Sequence, residues 1–149
     1  MRAVRKDERA SFNILDREEC LVLLRWEAIG RLGVSRPGHA PLVVPMNFEL
    51  VDDDKVHFRC DRGELADHLF EHPVSFEVDR FDWYRRVGWS VLVQGTAQLL
   101  TDEEGDALDQ EPQPWAPGER PLLVRILPDL ITGRRIDVQV NDLDARGYR

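Results

Sequence analysis

Cysteine is scarce in this chain. Cys20 and Cys60 are the two among 149 residues. Their number and spacing match neither a disulfide framework nor a zinc pattern, and both read as buried thiols. Lysine is scarcer than its charge class suggests: of 20 basic residues, Lys6 and Lys55 alone are lysines. An anion site here must therefore rest on arginine, backbone amides or helix termini. No apolar run approaches the ~20 residues of a membrane-spanning helix. Met1 to Arg9 is charged and lacks the apolar stretch of a secretory leader. The expectation is a cytoplasmic chain with no membrane partner. A basic excess is also missing. With 28 acidic residues against 20 basic, the net charge is -8, which argues against nucleic acid as a partner. The GxSxG elbow, the P-loop and HExxH are absent. His68 and His72 stand four apart, but Pro73 follows at once, so a metal site is not expected. Without a nucleophile constellation, any chemistry must come from a bound cofactor.

What the chain does hold is a core's worth of apolar residues, 42% of the total, in a length suited to one domain. Residues 1–15 read as a polar N-terminal arm, 16–140 as the domain and 141–149 as a C-terminal tail. Asp16 and Glu19 form a capping-box pattern ahead of a helix over 17–28. Shorter helices are expected over 64–71 and 102–110. Between them the period changes to two. Strands are expected at 31–35, 42–50, 56–60, 74–79, 88–100, 122–127 and 131–140, the last two broken at Pro128-Asp129. Asp52-Asp53-Asp54 is the turn of a hairpin. Pro45, lacking an N–H, marks an edge, a bulge or a break in its strand. Residues 111–121, with four prolines and Trp115, read as a loop. The fold class is mainly β with short helices, an antiparallel barrel that must hide its edges.

Five segments in order carry a family resemblance. They are Glu19-Cys20-Leu21 with Ile29-Gly30-Arg31-Leu32; Pro45-Met46-Asn47-Phe48; Phe58-Arg59-Cys60-Asp61-Arg62-Gly63; Gly88-Trp89-Ser90-Val91-Leu92-Val93-Gln94-Gly95; and Ile131-Thr132-Gly133-Arg134-Arg135. Together they resemble the pyridoxamine 5'-phosphate oxidase-like flavoproteins, over about residues 15–136. The resemblance implies a Greek-key-like split β-barrel that binds FMN and forms a homodimer with the flavin in a groove between subunits. It implies oxidoreduction of a small organic substrate. The alternatives are a reductase using the deazaflavin F420, a non-catalytic carrier or sensor of flavin or haem, or no cofactor.

On this resemblance the cofactor-binding residues are Pro45, Asn47, Phe48, Arg59, Cys60, Arg62, Trp89, Ser90 and Arg134. Arg59 and Arg62, beside the second helix, suit a phosphate. The Asn47 amide suits the ring edge. Trp89 packs either on the ring or in the core. Arg134 and Arg135 face opposite ways, and parity alone does not choose between them. The pattern departs from its relatives at two places. Cys60 replaces a hydroxyl residue, and Glu64-Leu65 stands where a lysine is expected. Either Arg59 and Arg62 compensate, or flavin binds weakly or not at all.

Overall fold

The computed structural model describes residues 10–109 and 111–138. Among these residues eight strands and three short helices follow one another. The capping box forms as the sequence predicts: the Asp16 carboxylate accepts from the Glu19 amide, and the Glu19 carboxylate accepts from the Asp16 amide. It starts α1 (Arg17–Arg25), which buries Cys20, Leu21, Leu23 and Leu24. The helix stops three residues short of the predicted end, because Ile29 and Gly30 already belong to β2 (Ile29–Val34).

The predicted strand over 42–50 is two strands, β3 (Leu42–Asn47) and β4 (Glu49–Val51). The break falls at Phe48. Its amide donates to Ala28 O at 3.1 Å and its ring enters the core edge-on to Phe76. Asp52 and Asp53 both take positive φ in the hairpin turn, a region short polar side chains tolerate. The chain then returns through β5 (Lys55–Cys60), α2 (Glu64–Leu69), β6 (Val74–Asp82) and β7 (Val87–Leu99). A one-turn α3 (Asp102–Asp106) precedes the 111–121 loop. The last strand, β8 (Leu122–Val138), is a single 17-residue element where the sequence predicts two.

Every strand pairing is antiparallel, in the order β3-β2-β6-β7-β8-β5-β4. The sheet curls into a split β-barrel. One edge of β8 pairs with β7 along most of its length. Its other edge is shared between β5 at one end and β1 (Ala10–Leu15) at the other. The end of the predicted arm is thus a strand of the sheet, while residues 1–9 and the 141–149 tail lie outside the described residues. The inward parity of the long strands fills the core with Phe76, Val78, Val91, Val93, Phe58 and Ile126, and α1 covers it. β3 is an edge strand, which is where Pro45 is tolerated. No helix among the described residues is long and apolar enough to cross a membrane.

Candidate functional site

Edge strand β3 and the β5–α2 turn face each other across a cleft of about 420 Å³. That volume falls in the usual range for small-ligand sites. Ile29, Val44, Met46 and Leu65 make its apolar wall. Arg59, Asp61, Arg62 and Arg120 supply charge. Five of the nine residues picked from sequence meet here: Pro45, Asn47, Arg59, Cys60 and Arg62.

The other four lie elsewhere. Phe48 and Trp89 are buried in the core. Ser90 and Arg134 are register partners on the outer face of the sheet. With Glu77, Leu92, Thr132 and Gly133 they line a second, shallower cleft of about 310 Å³. The Arg134 guanidinium sits over the Phe12 ring, 5.5 Å from its centroid. Arg135 pairs with Trp89 on the other parity, so the two neighbouring arginines serve opposite faces.

Loop 111–121 crosses the first cleft as a strap, and sequence reasoning did not connect it with the site. Pro114, Trp115, Ala116 and Arg120 line the cleft. The strap is tied down at three places. Asn47 donates through Nδ2 to Gln113 O at 2.6 Å and accepts at Oδ1 from the Trp115 amide at 3.2 Å. Its side-chain amide is therefore engaged by the strap, with one Nδ2 N–H left over for another acceptor. Arg59 Nη2 donates to Glu111 Oε2 at 2.6 Å, and Arg59 Nη1 reaches Arg120 O at 3.5 Å. Arg120 Nη1 pairs with Asp61 at 3.1 Å. The signal that could have found the strap is its length: an eleven-residue proline-rich loop carrying a tryptophan is long for a domain this compact.

Charge is balanced locally. Glu64, in the place of the expected lysine, pairs with Arg36, which also donates to Ala40 O. Its negative charge is neutralised at the cleft, so its repulsion toward an anion is muted. Arg62 is exposed and makes no ion pair among the described residues. The Cys60 thiol is buried, and burial pushes its pKa up to about 11. It is a neutral wall atom and a poor nucleophile at physiological pH. α2 has six residues, too short for its N-terminus to serve as an anion site in its own right. Among the described residues no group of three or more His, Cys, Asp or Glu is placed to hold a metal ion.

The fold has known counterparts. The family model described as pyridoxamine 5'-phosphate oxidase matches residues 16–135. The solved structure of an FAD-binding protein from Mycobacterium smegmatis is 32% identical, with a TM-score of 0.66, over 84% of this chain and 98% of that one. A conserved protein of unknown function from Corynebacterium diphtheriae is 34% identical, with a TM-score of 0.68, over 83% of this chain and 96% of that one. An uncharacterised protein of Mycobacterium tuberculosis is 32% identical over 136 residues, 82% of this chain and 84% of the relative. The match runs from the α1 cap through the strap and along most of β8, so that the cleft and every strand of the barrel but β1 fall within it: the chain belongs to the pyridoxamine 5'-phosphate oxidase family.

Proposed function

We propose that this chain is a flavin-binding oxidoreductase acting on a small organic molecule, with the flavin in the cleft between β3 and the β5–α2 turn. One observation carries the reading: in a chain of this family, a cleft of about 420 Å³ joins an apolar wall to a cluster of arginines. A flavin has the matching chemistry, a flat apolar body with polar edges and an anionic tail. Its residues fit in kind. Ile29, Val44, Met46, Leu65 and Trp115 offer apolar surface for a ring. Arg62 at the mouth offers a free cation for the tail. A bound flavin would supply hydride exchange, and the protein's part is to hold it, orient it and keep water from the ring. FMN is the cofactor proposed. The M. smegmatis relative is an FAD-binding protein, which makes FAD the nearest competing choice, ahead of F420.

A homodimer belongs to this reading. Ser90 and Arg134 line a different cleft from the one proposed for the flavin, so a second copy is the simplest way to bring those residues to it. The test is binding. FMN, FAD and riboflavin are titrated into the full chain and followed by quenching of flavin fluorescence. Saturable binding of at least one supports the proposal, and absence of binding by all three removes it. Replacing Trp115 with Ala is expected to weaken every flavin several-fold, about 0.5–1.5 kcal/mol for one aromatic contact. Turnover with bound flavin then separates an enzyme from a carrier.

A further inference from the structure

The strap brings a carboxylate of its own into the arginine cluster. Glu111 holds Arg59 at 2.6 Å, with the two side chains 32% and 21% exposed. A carboxylate and a phosphate monoester compete for the same guanidinium fork. Glu111 neutralises Arg59 and takes the Nη2 side of its fork, so a phosphate there would meet a paired charge. The second Arg59 nitrogen is already turned to Arg120 O. Nor does the strap depend on Glu111 alone, since Asn47 and the Asp61–Arg120 pair hold it independently.

We propose that Glu111 is a specificity-determining residue: it occupies Arg59, so the cleft selects a flavin by its ring and discounts its terminal phosphate. This rests on the flavin reading above. The wild-type chain should then prefer FMN to riboflavin only by the weak, solvent-screened pull of the exposed Arg62. In E111Q the Arg59 charge is released, and FMN should bind about tenfold tighter or more, the scale of one charge-assisted hydrogen bond. Riboflavin affinity should change less than about twofold. The double variant E111Q/R59Q should lose the gain, which separates release of Arg59 from a general drop in negative charge.

A second readout needs no flavin. Inorganic phosphate, added at constant ionic strength, should raise the thermal midpoint of E111Q but not of the wild type or of the double variant. An FMN-to-riboflavin preference unchanged by E111Q, or a gain that survives loss of Arg59, overturns the proposal. If no flavin binds either protein, the flavin reading falls, and the phosphate-dependent midpoint alone decides the role of Glu111: a shift confined to E111Q supports it, and no shift overturns it.

Discussion

His57 is the one polar residue with no exposed surface among the described core, and it stands opposite Arg125, whose Nε donates to its Nε2 at 3.2 Å. Burial, then the neighbouring guanidinium, hold its pKa down to about 4 from 6.5. The unfolded chain takes up that proton at higher pH than the native one. Stability from this site is therefore complete above pH 6.5 and falls as pH drops toward 4, by up to about 3 kcal/mol. His57→Gln keeps an acceptor for Arg125 and should flatten this limb in urea melts across that window. Glu77 runs the other way. Burial and the carboxylate of Asp79 raise its pKa to about 7, against the pull of Arg31. The native state keeps that proton longer, so its contribution is present below pH 4.5 and lost as pH rises through 7. Glu77→Gln should leave stability unchanged near pH 4 and raise it by about 1 kcal/mol above pH 7; equal melts at both pH values would contradict this. None of these environments is written in a local motif. Arg59 and Arg62 were legible because they share a short segment with Cys60 and Gly63. Glu111 was not, because it meets Arg59 from 52 residues away along the chain.

At the scale of elements, what was legible is what is local. The α1 cap rests on side chains three residues apart, and of the apolar parity Trp89, Val91, Val93, Ala97 and Leu99 predicted for β7, the first four are buried while Leu99, at the strand's end, is exposed. What was not legible depends on a partner. β1 has exposed Phe12 and Ile14 and no inward stripe to betray it; it exists because β8 offers an edge. Pro128 suggested a break in the last strand. The strand continues because its register shifts between Gln94 and Gly95, which places Pro128 opposite Gly95. A bulge accommodates a residue without an N–H. Gly95 is required there: a Cβ would lie 1.9 Å from Leu127 O, a backbone atom with nowhere to go. Gly95→Ala should destabilise the chain by at least about 2 kcal/mol in chemical denaturation. A neutral result would mean the bulge is looser than this spacing allows.

At the scale of the whole molecule, the flavin and dimer proposals are linked. If flavin sits between subunits, a ligand that binds only the dimer must strengthen it. Sedimentation at low micromolar concentration should show twice the chain mass, and FMN should raise the thermal midpoint. A monomer that binds FMN at full affinity on dilution would separate the two proposals and leave only the first. The pairing of Ala10 with Val138 has a consequence of another kind. It joins the first and last of the described residues, so the described barrel is almost a ring. Such a long closure forms late and slows folding, because its loop entropy must be met before the contact forms. It also makes the position of the termini nearly arbitrary. Linking the two ends and reopening the chain at the exposed 37–38 turn should give a circular permutant with the same barrel. Reopening it near Pro128, within the strand that β7 holds along its length, should not.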